Sequence, residues 1–167
     1  MTKNRTQSDT RGPVLALDLG QKLVGIAVSD EMLITIKRME PLKRSNWKKL
    51  LRDVTALIQR FDAQTLVIGL PLRLDGTSGA AAEITQQLGA NFARSLKLPV
   101  YLQDERLTSV EAREVLLSNG HKPAEIPGLI DGEAAALILR DFLNSGEERI
   151  LVPIVDKPTA GRKTNSR

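Results

Sequence analysis

Three carboxylates stand where the local pattern calls for apolar side chains: Asp18, Glu105 and Asp131. Asp18 lies in the apolar run Val14 to Leu19, on the same face as Val14 and Ala16, because side chains alternate along a strand. An ionised carboxylate on a buried strand costs several kcal/mol unless it is paired or bound to a metal. Glu105, in Leu102-Gln103-Asp104-Glu105-Arg106, follows a second strand at its C-terminal end, where ligands gather in open α/β sheets. Asp131 opens a helix read over Ile130 to Leu143. At 100° per residue, Ala135, Ile138 and Phe142 lie about 40°, −20° and 20° from Asp131, with Glu133 and Arg140 near the opposite side. Asp131 therefore points at the sheet from the first turn, with Glu133 facing away. Each acid also has a structural explanation: Asp131 as an N-cap, Asp18 as an acceptor for amides of the Gly20 turn, Glu105 as the partner of Arg106.

Two strand ends and an inward-facing helix start can converge on one crevice. With no Cys and one His in the chain, such a carboxylate set suits Mg²⁺ or Mn²⁺, which prefer oxygen ligands. Two such ions together activate a water and stabilise the leaving oxygen in phosphodiester hydrolysis. No other catalytic set competes. His121 follows Gly120 in a loop and reads as a surface residue, and no Gly-x-Ser-x-Gly elbow is present. The absence of Cys removes disulfides and thiol nucleophiles and fits a reducing cytoplasm.

The elements that must position these acids follow from apolar periodicity. Strands are read over Val14 to Leu19, Val24 to Ser29, Leu33 to Lys37, Thr65 to Leu70 and Pro99 to Gln103, with a short extended piece between Arg149 and Val155. Helices are read over Asn46 to Arg60, Ala80 to Leu96, Thr108 to Ser118 and Ile130 to Leu143, the third opened by a Thr108/Glu111 capping box. The order implies an α/β fold: three antiparallel strands followed by parallel strands in one mixed sheet, with helices packed on it. The 167 residues suffice for one domain, expected over 13–155. No stretch approaches the roughly 20 apolar residues of a bilayer span, and Met1 to Gly12 lacks a signal-peptide apolar region.

The net charge of +4 is concentrated at the ends. Residues 1–12 carry +2 and residues 156–167 carry +3, so the body holds −1 and both ends read as flexible basic tails. Within the body, Lys37 to Arg52 contains seven bases, Glu40 as its one acid, and Trp47, the sole Trp. Such a stretch can hold phosphates by charge; Trp47 itself reads as a core residue of its helix.

Four blocks carry a resemblance: ALDLGQKLVGIAVSD (16–30), VIGLPLRLDGTSG (67–79), DERLTSVEA (104–112) and IDGEAAALIL (130–139). In order and spacing they resemble the bacterial pre-16S rRNA nuclease family, also described as Holliday-junction-resolvase-like. The resemblance spans about 14–144 and implies a ribonuclease-H-like fold and a cytoplasmic nuclease trimming the 5′ end of precursor 16S rRNA. It places an acidic site, catalytic and metal-binding, on Asp18, Glu105 and Asp131, served by Mg²⁺ or Mn²⁺ as two ions. Lys22, Arg44, Lys48, Gly76, Ser78 and Arg106 are the expected nucleic-acid contacts, the glycine by close backbone approach and Ser78 at a helix entry that offers free amides. Two positions depart from the pattern: Lys22 is followed by Leu23 rather than Arg, and Ala134 stands where the junction resolvase has a second Asp. Asp104 is the better spare ligand, since Glu133 faces away on the wheel.

The expected partners are RNA or branched DNA, and ribosomal particles, with no membrane. Two rival classes remain at this point. Asp18-Leu19-Gly20 with Gly25 also resembles the first phosphate loop of the sugar-kinase, Hsp70 and actin superfamily, which closes two such domains over ATP. A non-catalytic RNA-binding assembly factor would keep the acids as caps and bind RNA with a steep salt dependence.

Overall fold

The computed structural model describes residues 10–146 and 149–154, so the two basic tails lie outside the described residues except for 10–12. Six strands form one sheet: β1 (Val14–Leu19), β2 (Leu23–Ser29), β3 (Ile36–Lys43), β4 (Thr65–Leu70), β5 (Val100–Asp104) and β6 (Ile150–Leu151). Their order across the sheet is β3-β2-β1-β4-β5-β6. The pairs β3–β2 and β2–β1 are antiparallel, β1–β4 and β4–β5 parallel, and β5–β6 antiparallel. The expected mixed sheet is thus formed, with the C-terminal ends of β1, β4 and β5 on one side.

Helices cover both faces. α1 (Trp47–Phe61) and α2 (Ala80–Ser95) pack on the face that carries Leu15, Leu17, Ile26, Leu66 and Ile68. α4 (Ile126–Asn144) covers the face of Val14, Ala16, Ala27 and Val67, through Ala135, Ile138, Leu139 and Phe142. α3 (Thr108–Ser118) packs on the outside of α4 through Ala112, Ala134 and Leu137. Trp47 lies edge-on to Phe92, with ring centroids 4.8 Å apart, which ties α1 to α2 as the core reading of Trp47 expects.

Several boundaries differ from the expectations. The third strand runs Ile36–Lys43 rather than Leu33 to Lys37. As the sheet's outer strand it tolerates Pro41 and a row of bases, which hid it from a search for apolar alternation. α4 starts at Ile126, with Pro127 in its first turn, so Asp131 lies in the second turn and is not an N-cap. Glu133 does not face solvent: it is 3% exposed and paired with Arg38 of β3. The reason is that α4 is enclosed by the sheet on one side and α3 on another, so the helix has no wholly solvent-facing half. The Thr108/Glu111 capping box is absent: Leu107 is the N-cap without a side-chain bond, and Glu111 pairs with Arg140. Among the described residues, no helix is long and apolar enough to cross a membrane.

Candidate active site

Asp18 lies opposite Gly25 in the β1–β2 register, and its side chain rises on the face covered by α4. Glycine at position 25 is what lets the helix come down here. A Cβ built on Gly25 would lie 2.1 Å from the backbone carbonyl oxygen of Asp131, so α4 rests directly on β2 at this residue. The Gly20 turn also approaches the helix, with a Cβ there 3.9 Å from Asp131 Oδ1.

On the other side of Asp18 lies β4, and Gly69 makes the space for Glu105. Leu70 pairs with Asp104, and the amide of Glu105 donates to the Leu70 carbonyl at 3.1 Å, which turns the chain as it leaves β5. The Glu105 carboxyl then folds back over β4, so that a Cβ on Gly69 would lie 2.5 Å from Oε2 and 2.5 Å from Ile138 Cδ1. Asp131, Asp18 and Glu105 are therefore arrayed above β2, β1 and β4 in turn. Glycines 25 and 69 flank the central acid. A glycine inside a strand marks a close approach of backbone or ligand, the one sequence signal that could have singled out Gly25.

The Asp18 and Glu105 side chains lie within hydrogen-bonding reach of each other, and the repulsion between their charges favours a proton held by the pair. Burial, then the neighbouring Asp18 charge, pushes the Glu105 carboxyl up to about 9. Burial also raises Asp18, and the negative charge of Asp131 adds to the rise. Asp131, nearer the rim, is raised by burial alone. No Lys or Arg pairs with any of the three among the described residues.

A half-buried pair of carboxyls with no cation beside it favours holding a proton and fits a hard divalent ion, whose charge can replace that proton. All the donors are oxygen, as Mg²⁺ and Mn²⁺ require. The gathering is tight for two acids and looser for the third: among the described residues no set of three is close enough to hold a metal ion. Asp18 and Glu105 are brought together, and Asp131 stands across from them.

The expected nucleic-acid contacts fall on two flanks of this row. On the β2–β3 side, exposed Lys22 lies in the turn before β2, and its carbonyl accepts the Arg44 amide at 2.8 Å. The Arg44 guanidinium donates through Nη1 to the Gly20 carbonyl at 2.8 Å, and Lys48 is exposed in the first turn of α1. On the β4–β5 side, Gly76 (φ +85°) and exposed Ser78 belong to the loop that enters α2. That loop is braced internally, with the Thr77 amide and hydroxyl both donating to Asp75 Oδ1. Helix α2 begins with Gly79 as N-cap and no side-chain partner, so its first amides face the same end of the sheet.

Arg106 takes the structural option for its guanidinium. Nε donates to Asp104 Oδ2 at 2.8 Å, and Nη1 lies 3.4 Å from the Leu74 carbonyl. Asp104 is correspondingly engaged, with Oδ1 accepting the Arg106 amide at 3.0 Å. His121 lies 3.7 Å from Glu125 on the surface, away from the acids.

Residues 12–145 match the family described as "RuvX: Holliday junction resolvase". The chain is 36% identical over 138 residues to a Syntrophus aciditrophicus (strain SB) protein named "Putative pre-16S rRNA nuclease", a match covering 82% of this chain and 92% of that protein. A Lactobacillus johnsonii protein (strain CNCM I-12250 / La1 / NCC 533) of the same name is 38% identical over 136 residues, covering 79% of this chain and 95% of its own. Among solved structures, T. thermophilus RuvC in complex with Holliday junction substrate aligns with a TM-score of 0.52 and 16% identity, over 84% of this chain and 99% of that one. The likeness is one of fold, the ribonuclease-H-like mixed sheet.

Proposed function

Because the chain belongs to the RuvX family of phosphodiester-cleaving hydrolases, we propose that it is a metal-dependent endonuclease acting on the 5′ region of precursor 16S rRNA in the cytoplasm. The observation that carries this reading is the pair of half-buried carboxyls, Asp18 and Glu105, set together where β1 and β5 end with no basic partner among the described residues. Asp18 and Glu105 would hold Mg²⁺ or Mn²⁺, with Asp131 as the third ligand from the rim. When bound, the cation supplies charge neutralisation at the phosphate and a water acidic enough to attack it.

The chain's own residues prepare the rest. The cover of α4 partly desolvates Asp18 and Glu105, which strengthens their demand for a positive partner. Gly25 and Gly69 set the spacing of the three carboxyls by fixing how closely α4 and Glu105 approach the sheet. Lys22, Arg44 and Lys48 on one flank, with Gly76, Ser78 and the α2 amides on the other, hold the substrate backbone so that one phosphate rests over Asp18. Arg106 shapes the loop on that second flank through Asp104 and Leu74. Arg44 retains Nε and Nη2 without a partner among the described residues, free for phosphate, while Nη1 holds the Gly20 turn. It supplies from the end of β3 a guanidinium that Leu23 does not.

The test is cleavage of end-labelled precursor 16S rRNA fragments by purified protein with Mg²⁺ or Mn²⁺. Cutting should be lost with chelator and with Asp18→Asn. Equal cutting by the variant or by the chelated protein overturns the proposal. The family description also favours branched DNA as a second substrate class, so a four-way junction belongs in the same assay. Junction cleavage without rRNA cleavage would reassign the substrate and leave the chemistry intact.

A further inference from the structure

Beside the carboxylate row, on the outer side of β5, lies an open cleft of about 410 Å³ bordered by Arg106, Thr108, Glu111 and Asp141. Leu74 and Leu107 form its apolar lips and are 75% and 60% exposed, which is high for large aliphatic side chains. The cleft is contiguous with the site, since Asp104 and Arg106 line it and flank Glu105 in sequence.

Its polar groups are unlike those of a phosphate site. Three acids and Arg106 line it, and each acid is paired: Asp104 with Arg106 at 2.8 Å, and Glu111 and Asp141 with Arg140, outside the lining, at 2.9 Å each. Both arginines are held by protein carboxylates, while acceptors remain on the acids. Glu111 Oε2 and Asp141 Oδ2 accept no hydrogen bond among the described residues. Thr108 borders the cleft and is only 5% exposed, and its hydroxyl has no partner among the described residues because the capping box does not form. A hydroxyl without a protein partner, on so enclosed a residue at the cleft wall, can bond a ligand group there.

We propose that this cleft takes one nucleobase of the bound strand, unstacked next to the phosphate over Asp18, and prefers a base that presents an exocyclic amine. The inference rests on the nuclease reading above, which brings a strand to this edge of the sheet. The leucines cover the faces of the base, and the free carboxylate oxygens accept from its amine, as acidic side chains accept from cytosine N4. The Thr108 hydroxyl donates to or accepts from the ring edge. Sequence-selective RNA recognition generally works on such splayed bases. Phosphate is disfavoured because the lining is slightly acidic.

The experiment compares two probes of equal length and charge, decacytidylate and decauridylate, which differ in a 4-amino against a 4-oxo group. Binding is followed by fluorescence anisotropy with the cleavage-silent Asp18→Asn protein in chelator. Decacytidylate should bind about tenfold more tightly, the discrimination one matched base edge supplies. Thr108→Val and Glu111→Gln should each narrow that ratio without changing the salt slope, which the phosphate contacts set. Equal affinities for the two probes, with salt-dependent binding intact, overturn the base subsite and leave the nuclease reading standing. A preference that survives both variants also overturns it, by placing the discrimination elsewhere. Failure to bind either probe removes the nuclease reading and this inference together.

Discussion

Replacing Glu105 by Gln should make the metal-free protein more stable at alkaline pH. In the folded state the Glu105 carboxyl is raised from 4.5 to about 9, so between these values the native protein binds a proton that the unfolded chain has released. The unfolding free energy therefore falls as pH rises through that window, since its slope follows the protons bound unfolded minus those bound folded. Each pH unit corresponds to about 1.4 kcal/mol, giving about 4 kcal/mol between pH 5 and pH 8 for a fully desolvated group. Glu105 retains some solvent contact, so screening reduces this to about 2 kcal/mol. For a chain of this size that is a fall in Tm of about 6 °C. Gln keeps the shape and one hydrogen bond but has no proton to lose. The two proteins should melt together near pH 5 in chelator and separate by about 6 °C at pH 8, with the variant higher. Excess Mn²⁺ at pH 8 should reverse the order, because the wild type alone gains a full set of carboxylate ligands. Parallel melting curves at every pH would show that Asp18 and Glu105 do not share a proton.

The glycines make a matched pair of tests. Gly69→Ala puts a methyl 2.5 Å from two flexible side-chain ends, Glu105 Oε2 and Ile138 Cδ1, so it should displace the carboxyl, lower turnover at least about tenfold and cost only about 1 kcal/mol in denaturant melts. Gly25→Ala meets the Asp131 backbone at 2.1 Å and must lift the helix, so it should cost about 3 kcal/mol or more in the same melts. Equal costs would contradict the direct seating of α4 on β2. Arg38→Ala strands the 3% exposed Glu133 and should cost about 3 kcal/mol, whereas Glu133→Gln, which keeps one hydrogen bond, should cost about 1 kcal/mol. The reverse order in thermal melts would mean that the pair is a surface contact.

Much of the sheet was legible because its central strands are continuous apolar runs: Val14 to Leu19 and Thr65 to Leu70 have the observed boundaries. β3 was misplaced because an outer strand need not be apolar, and its bases and Pro41 interrupt the apolar alternation. The acids were legible as intruders, since Asp18 and Glu105 break patterns that burial otherwise enforces. Two things were not. A helical wheel assigns one inward face, so Glu133 appeared outward on a helix that is covered on more than one side. The closeness of α4 to the sheet depends on what Gly25 and Gly69 lack, and sequence alone does not say which backbone comes to fill that space.

The central claim is that Asp18 and Glu105 exchange their shared proton for a divalent cation. A crystal grown near pH 8 and soaked in Mn²⁺ tests it through anomalous scattering. The account predicts a Mn²⁺ peak bonded to carboxylate oxygens of both residues, with Asp131 drawn toward it. Absence of a peak there, with the two carboxyls still hydrogen-bonded to each other, would contradict it.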